Sequence, residues 1–429
     1  MKDLISVRPH VNCVAVKNHP ELLSTSEQIL EMARVLKSHS MIAFDTEFIR
    51  ESTFYPIVEI IQVATDSESW LVDAQAFKRH QRDRGVQAYD PGLQPLLDVF
   101  KDPQILKILH AAQGDQECLY TAFGVVAAPT LDTAIAASLC GHGDGIGLGR
   151  LVKLALDVTL QKGHARTNWS VRPLPKQLME YAHSDVVYLV ELGQKLLAHL
   201  DELGRKTWAL ELSAKWENPA LYQSDVDGLT QKLARGGRLD RKTLIALRSL
   251  VQWREDRVRQ LNLPRRWVAD DHVLIDLAQV RPKDLAHLST FRGLNKGELK
   301  NSGEAIIRAA SEGIEEEGLV VHKPSKPPVP SQDESQVLEL LACFINILAD
   351  RHKIAAKHLM ASAKLLPLLR SKITTHEELI AAGILSEEAA RLIGHELLET
   401  LNGKRALWIK DNRIQILKME KPEVEAALK

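Results

Sequence analysis

Two carboxylates separated by one residue follow a short apolar stretch near the start of the chain. The apolar residues run from Ile42 to Phe44, and Asp45 and Glu47 come directly after them. In an extended strand, the side chains of residues i and i+2 point to one face, so these carboxylates would stand side by side. Buried anions raise each other's pKa, and a divalent cation with oxygen ligands removes that cost. A metal site is one interpretation, and a turn cap beside a solvated carboxylate is the other.

Three more residues, which lie further along the chain, extend this set. Asp115 lies in the first turn of a predicted helix, where it could also serve the helix dipole alone. Tyr181 and Asp185 are four residues apart, which places them on one helical face. Four carboxylates and a phenol suit phosphodiester hydrolysis by two divalent ions, Mg²⁺ or Mn²⁺, held about 3.5–4 Å apart. In this hypothesis Asp45 bridges both ions, while Glu47 and Asp185 complete the site of the attacking water. Asp115 then holds the second ion, largely through water, and the Tyr181 hydroxyl orients the attacking water.

The elements that must position these residues are predicted to form a mixed α/β sheet with helices on both faces. An antiparallel meander of three strands comes first, and strands and helices alternate after it. The predicted strands cover residues 42–47, 57–65, 70–73 and 105–109. The predicted helices cover 26–38, 93–99, 115–123, 130–140 and, as one long helix, 176–200. The polar segment 75–91 is predicted to be a loop insertion.

The remainder of the chain has an almost wholly helical pattern. Helices are predicted at 243–261, 271–280, 285–288 and around 305–310, and a last helical block covers 336–401 before a turn at 402–409. A proline-rich stretch separates the two helical regions. The predicted domains are 1–210 for the α/β part, 231–315 for the first helical module, 316–334 for the linker and 335–429 for the second module.

The charge of the chain is unevenly distributed. Residues 231–310 hold 17 Lys and Arg against 9 Asp and Glu, a net charge of +8, whereas the remaining residues carry −9. This division is typical of a nucleic-acid-facing module joined to a metal-binding one. The candidate phosphate contacts in the basic segment are Arg254, Arg257, Arg259, Arg265 and Arg266. The alternative is a solubilising helix face with ordinary ion pairs.

Two other places are candidates for contact with nucleic acid. Arg166 and Trp169 could contact a phosphate and stack on a base, unless Trp169 packs into the core. His110 lies in the turn before the Asp115 helix. The four cysteines are widely spaced and form no zinc pattern, and no apolar run approaches the length of a membrane helix. We therefore expect a soluble, cytoplasmic protein without membrane contact.

Three motifs resemble those of the DEDD exonuclease superfamily, in its tyrosine-bearing branch. They are Asp45-Thr46-Glu47-Phe48, His110-Ala111-Ala112-Gln113-Gly114-Asp115 and Tyr181-Ala182-His183-Ser184-Asp185. The whole chain resembles the ribonuclease D family, in which two helical HRDC (helicase and ribonuclease D C-terminal) modules follow the exonuclease domain. The segment 247–310 is similar to the first module, and the block from Val337 is similar to the second.

The resemblance implies a ribonuclease-H-like fold and a monomeric 3′-to-5′ exoribonuclease. Its expected substrates are tRNA precursors and other structured RNAs with a free 3′ end, and its expected products are 5′-mononucleotides. A DNA exonuclease with the same catalytic plan is an alternative, because the metal centre itself does not read the 2′-OH. A non-catalytic RNA-binding protein is another, although all five catalytic positions are filled here.

Overall fold

The structure is a computed structural model that describes residues 22–79, 88–160, 167–235, 239–312 and 328–419. We call residues 22–222 the N-terminal domain, 226–311 the middle domain and 328–419 the C-terminal domain. Within the described ranges, no helix is both long and apolar enough to cross a membrane.

A mixed six-stranded sheet lies at the centre of the N-terminal domain, as the sequence predicts. Its strand order is β1-β4-β3-β2-β7-β8, and β2, β3 and β4 form the predicted antiparallel meander. Strand β1 is parallel to β4, while β7 and β8 continue the sheet in parallel on the side of β2. The strands are β1 (Leu22–Leu23), β2 (Met41–Ile49), β3 (Ile57–Ala64), β4 (Ser69–Asp73), β7 (Leu106–Leu109) and β8 (Thr130–Asp132).

The predicted loop at 75–91 is partly wrong. A 3₁₀ turn at Ala74–Phe77 leads into a small antiparallel ladder of β5 (Lys78–Arg79) and β6 (Ala88–Tyr89). Residues 80–87, in the middle of the predicted insertion, lie outside the described residues.

Helices cover both faces of this sheet. One face packs against α1, α2 and α3 in a shared apolar core, and α6 lies across β2, β3 and β4 on the other. The helices are α1 (Ser26–Leu36), α2 (Gln94–Lys101), α3 (Gln113–Phe123), α4 (Thr133–Leu139), α5 (Leu148–Leu156), α6 (Lys176–Val186), α7 (Leu189–Glu202) and α8 (Lys206–Ala214). Short 3₁₀ turns at Pro91–Leu93, Lys215–Glu217 and Pro219–Tyr222 complete the domain.

Two helix predictions in this domain are wrong. The segment 130–132 is strand β8 because it pairs with β7, so the helix begins only at Thr133. The single helix predicted at 176–200 is broken after Val186. The break falls at Val187 and Tyr188, where β-branched and aromatic side chains have low helix propensity.

The described residues of the middle domain are mostly helical. Its helices are α9 (Val226–Ala234), α10 (Arg241–Leu261), α11 (Arg265–Val268), α12 (Asp271–Val280), α13 (Leu285–Leu288) and α14 (Lys296–Ser311). The helices predicted at 243–261, 271–280 and 285–288 are present, whereas α9 and α11 were not predicted and α14 begins well before residue 305. Asp240 caps α10 by accepting a hydrogen bond from the Thr243 backbone N–H, and Asn262 ends the helix in a left-handed conformation. This end brings α10 against the N-terminal domain, because Asn262 Oδ1 accepts hydrogen bonds from the backbone N–H groups of Phe54 and Tyr55.

The C-terminal domain combines helices with a β-hairpin that the sequence analysis missed. Its helices are α15 (Gln332–His352), α16 (Ala356–Leu359), α17 (Leu365–Arg370), α18 (His376–Ala381), α19 (Glu387–Ala389) and α20 (His395–Leu401), with a π turn at Ala390–Gly394. The predicted turn at 402–409 is wrong beyond Lys404, because β9 (Arg405–Lys410) pairs with β10 (Arg413–Lys418). Asp411 and Asn412, both with positive φ, form the two-residue connection that favours a hairpin.

The N-terminal and C-terminal domains share one apolar core. Leu341, Phe344 and Leu348 of α15 belong to the same buried cluster as Leu139 and Leu200 of the N-terminal domain. Arg205 links the two domains, because it donates hydrogen bonds to the carbonyl oxygens of Leu139, at 2.7 Å, and His352, at 2.9 Å.

Candidate active site

The central strand β2 has a neighbour along only part of one edge. Its pairing with β7 stops at Ala43, whereas its pairing with β3 continues to Ile49 through a register shift after Glu47. Asp45 and Glu47 therefore lie just beyond the last residue paired with β7. The incomplete edge leaves room for the first turn of α3, which follows β7 in the chain.

Asp115, in that first turn, is tied directly to β2. Its Oδ1 accepts hydrogen bonds from the Thr46 backbone N–H, at 2.9 Å, and from the Thr46 hydroxyl, at 2.6 Å. The turn before α3 is held by Asp132, which accepts hydrogen bonds from the backbone N–H groups of Ala111 and Ala112. These bonds bring Asp115 beside Asp45, although 70 residues separate them in the chain.

Helix α6 completes the group from the opposite face of the sheet. One carboxylate oxygen from each of Asp45, Glu47 and Asp185 lies within 4.8 Å of the others. Tyr181, one turn earlier on α6, hydrogen-bonds to Asp185. The structure thus brings together all five residues that the sequence predicts for the catalytic group.

The negative charges of these carboxylates repel one another. Burial, and then the charges of Asp115, Glu47 and Asp185, raise the pKa of Asp45 well above its usual value. Burial, and then the charges of Asp185 and Asp115, raise the pKa of Glu47 to about 8. Burial also raises the pKa of Asp115 and of Asp185 to about 6 in each case. Burial and the nearby carboxylates raise the pKa of Tyr181, so its phenol keeps its proton at neutral pH.

The donor set suits a hard divalent cation. All the candidate ligand atoms are carboxylate oxygens, the type that Mg²⁺ and Mn²⁺ prefer. Among the described residues, no Lys or Arg forms an ion pair with Asp45, Glu47, Asp115 or Asp185. No basic side chain of the described residues balances the charge of this cluster. A bound dication would offset the repulsion that raises these pKa values.

Sequence reasoning overlooked Gln62, which lies beside this group. Gln62 on β3 is directly opposite Asp45 in the antiparallel register, so both side chains occupy the same face. Its side chain is fully buried, and neither its amide nitrogen nor its amide oxygen has a hydrogen-bond partner. The signal in the sequence was a glutamine in a strand that is apolar except for Glu59 and Gln62, and the strand register was needed to interpret it.

Several predicted nucleic-acid contacts are wrong because the side chains serve the interior. Trp169 is only 2% exposed and packs beside Tyr181, with ring centroids 6.0 Å apart. Arg254 is 1% exposed and donates a hydrogen bond to Asp271. Trp169 lies in a turn before α6 and packs inward, whereas Arg254 lies on the buried side of α10 and its guanidinium group finds its partner within the domain.

The other candidate phosphate contacts in the basic segment form ion pairs within the protein. Arg257 binds Glu298 through two nitrogens, and Arg265 binds Glu255 in the same way. These pairs are the ordinary ion pairs that the sequence analysis gave as the alternative. Arg266 pairs with Asp270 at 3.2 Å, but its side chain is 87% exposed, so its contact with a phosphate stays a prediction.

The remaining predicted contacts lie at the N-terminal domain. His110 Nδ1 is 2.9 Å from the hydroxyl of Thr133, and burial lowers the pKa of this histidine. Its contact with nucleic acid stays a prediction. Arg166 lies outside the described residues.

Comparison with protein families agrees with this geometry. A family model described as 3′-5′ exonuclease matches residues 20–201, and the HRDC domain model matches residues 244–309. The first range contains the whole carboxylate cluster. The second lies within the middle domain, and the HRDC character of the C-terminal domain stays a prediction.

Curated relatives resemble the chain over nearly its whole length. Ribonuclease D of Bartonella henselae is 30% identical over 401 residues, which cover 91% of this chain and 93% of the relative. Ribonuclease D of Sphingobium indicum is 30% identical over 415 residues, covering 94% and 99%. The crystal structure of Escherichia coli RNase D, described as an exoribonuclease involved in structured RNA processing, matches the fold with a TM-score of 0.70. That match has 24% identity and covers 88% of this chain and 99% of the other.

Proposed function

Since this chain belongs to the ribonuclease D family and is a 3′-to-5′ exoribonuclease, we propose that it trims tRNA precursors and other structured RNAs by two-metal hydrolysis. In this proposal it releases one 5′-mononucleotide at a time. The observation that supports the mechanism best is the approach of Asp45, Glu47 and Asp185 oxygens to within 4.8 Å of one another, with no Lys or Arg of the described residues paired to them.

The four carboxylates would hold the ions in this mechanism. Asp45 lies at the centre of the cluster and would bind both, Glu47 and Asp185 would complete one site, and Asp115 would serve the other. Two divalent ions bound there supply Lewis-acid chemistry, lowering the pKa of the attacking water and stabilising charge on the leaving oxygen. Thr46 fixes the orientation of Asp115 through its two hydrogen bonds.

Tyr181 has a positioning role in this mechanism. Because its pKa is raised, the phenol remains protonated at neutral pH and cannot serve as a general base. Its hydroxyl can donate or accept a hydrogen bond, and the contact with Asp185 keeps it at the edge of the cluster. We assign to Tyr181 the role of orienting the attacking water.

A single set of reactions tests this function. Wild-type protein and Asp45→Asn are given a single-stranded RNA and a DNA of matching sequence, each with a free or a blocked 3′ end. With Mg²⁺, we expect the wild type to shorten only the free-ended RNA, by one nucleotide at a time. Both Asp45→Asn and a chelator should abolish the reaction.

Each contrary result has a definite meaning. Equal shortening of DNA would contradict the RNA assignment, and cleavage of 3′-blocked RNA would contradict the exonucleolytic direction. Full activity in chelator would contradict the metal mechanism.

A pre-tRNA with a 3′ extension, compared with an unstructured RNA of equal length, tests the substrate class.

A further inference from the structure

A cavity of about 470 Å³ lies where the N-terminal and middle domains meet. One wall is the segment after β2, which contains Arg50, Phe54 and Tyr55. The opposite wall runs from Tyr222 through α9 to Arg235. The volume falls within the range of small-molecule sites and suits a single nucleotide.

This cavity is close to the carboxylate cluster. Arg50 follows Glu47 by three residues, and three residues of extended chain span about 10 Å. Glu117 on α3, which also lines the cavity, follows Asp115 by two residues. An RNA strand whose 3′ end lies at the carboxylates could therefore place a nearby upstream nucleotide in the cavity.

Aromatic side chains give the cavity surfaces on which a base can stack. The Phe54 and Tyr55 rings meet edge to face with centroids 4.9 Å apart, and Tyr222 lines the same cavity. Arg265 covers one part of this surface, because its guanidinium carbon is 4.9 Å from the Phe54 centroid. Stacking of this kind tolerates any base.

Two cations of the cavity are not neutralised by the protein. Arg50 pairs with Glu117 at 2.7 Å, and Arg265 pairs with Glu255 at the same distance. Lys232 on α9 and Arg235, the residue directly after this helix, are both exposed and have no carboxylate within ion-pair distance among the described residues. They are available to a phosphate.

We propose that this cavity binds one nucleotide of the RNA substrate, upstream of the two nucleotides that flank the scissile bond, with its base against Phe54, Tyr55 and Tyr222 and its phosphate at Lys232 and Arg235. The inference rests on the proposed function, because it supplies that site with a subsite for the strand being shortened. A free 5′-mononucleotide offers the same base and phosphate, so the test must separate the two sources.

The decisive measurement is the dependence of kcat/KM on RNA length. The double variant Lys232→Ala/Arg235→Ala is compared with wild type on a dinucleotide and on a single strand of about ten nucleotides. The control variant is Lys372→Ala/Arg391→Ala, which removes two exposed cations from the C-terminal domain. All four positions are exposed, so folding should be unaffected.

We expect a roughly tenfold or larger loss of kcat/KM on the longer RNA, carried mainly by KM, and no change on the dinucleotide. The slope of log kcat/KM against log salt should become shallower by about 0.7, the value for loss of one neutralised single-strand phosphate. The control variant should match wild type in both respects. Equal losses on both substrates, or no loss on the longer RNA, would overturn the proposal.

Binding experiments separate this proposal from the function on which it rests. Fluorescence anisotropy of the longer RNA, measured with Asp45→Asn as the parent, reports the cavity even if no RNA is hydrolysed. If the wild type degrades no RNA but the double variant still binds the longer RNA more weakly, the function fails and the cavity assignment stands. If only binding of a free 5′-mononucleotide is weakened, the RNA assignment is overturned.

Discussion

Acidic side chains in two regions of this molecule, partly buried in one and fully buried in the other, have opposite surroundings. In the N-terminal domain, burial and neighbouring carboxylates raise the pKa of Glu47 to about 8. In the middle domain, Glu255 is fully buried but is flanked by Arg254 and bound by Arg265 at 2.7 Å. Burial acts to raise the pKa of Glu255 as well, yet the hydrogen bonds and charge of Arg265 outweigh it, and the pKa is lowered.

This difference in surroundings distinguishes carboxylates with a structural role from carboxylates that bind a ligand. A buried carboxylate whose charge is satisfied by arginine stabilises a particular packing of helices and has no need of a ligand. Buried carboxylates that meet one another are unfavourable until a cation binds them. The four predictions that follow test this distinction, from the largest expected effect to the smallest.

Glu47→Gln should abolish function without weakening the fold. Removal of one ligand charge should lower kcat on RNA by about a thousandfold or more. Removal of one of several repelling charges should leave the melting temperature of the metal-free protein unchanged or higher. Steady-state kinetics and thermal denaturation in chelator measure the two effects. A marked drop in melting temperature would place Glu47 in the same class as Glu255.

Glu255→Gln, the same chemical change, should have the opposite result. It leaves Arg254 and Arg265 without their shared buried counter-charge, which should cost about 3 kcal/mol of the free energy of unfolding. Urea denaturation measures the loss, and kcat on a dinucleotide at low temperature should stay close to that of wild type. An unchanged free energy of unfolding would show that the arginines find other partners.

The pH dependence of stability should also distinguish the two regions. In metal-free protein, the folded pKa of Glu47 is above its unfolded value, so its stabilising contribution is present below about pH 4.5 and is lost as the pH rises to about 8. Glu255 behaves in the reverse manner, because its folded pKa is lowered and its contribution is lost as the pH falls below about 4.5.

Melting temperatures in chelator at pH 5 and pH 8 measure this effect. The difference between Glu47→Gln and wild type should increase in favour of the variant as the pH rises. The stabilisation of wild type by Mg²⁺ should increase over the same window, because the ion competes with protons for the carboxylates. A Mg²⁺ effect that is independent of pH would contradict the assignment of these groups as ligands.

Gln62→Met tests the polar neighbour of Asp45 and has the smallest expected effect. Methionine has a similar length and lacks the two buried amide atoms that have no partner, so the variant should gain about 1 kcal/mol in the free energy of unfolding. Chemical denaturation in chelator measures the gain. A loss of stability instead would show that the amide forms hydrogen bonds in solution, with Asp45 as the nearest candidate.

The sequence predicted the site better than it predicted the surroundings of the arginines. Asp45 and Glu47 share a strand, and Tyr181 and Asp185 share a helical turn, so local periodicity was sufficient to group each pair. The hydrogen bonds from Thr46 to Asp115 join residues far apart in the chain, and no local pattern indicates them.

The fold was predictable for the same reason and to the same extent. The meander of β2, β3 and β4 follows from short apolar runs separated by turn residues, whereas β8 exists only because β7 lies beside it. The basic segment was misleading because net charge does not reveal which arginines face inward. Arg254 and Arg257 are satisfied by Asp271 and Glu298, which only the folded helices bring within reach.

The apolar core shared by the first and last domains has a practical consequence for dissecting this enzyme. A protease cut between residues 312 and 328 should leave two fragments that co-purify, since the interface around Phe344 and Arg205 does not depend on the connecting peptide. Deleting the last hundred or so residues would instead uncover aliphatic surface on α4 and α7 and promote aggregation. The catalytic unit is therefore better isolated by co-expressing the two pieces than by truncation.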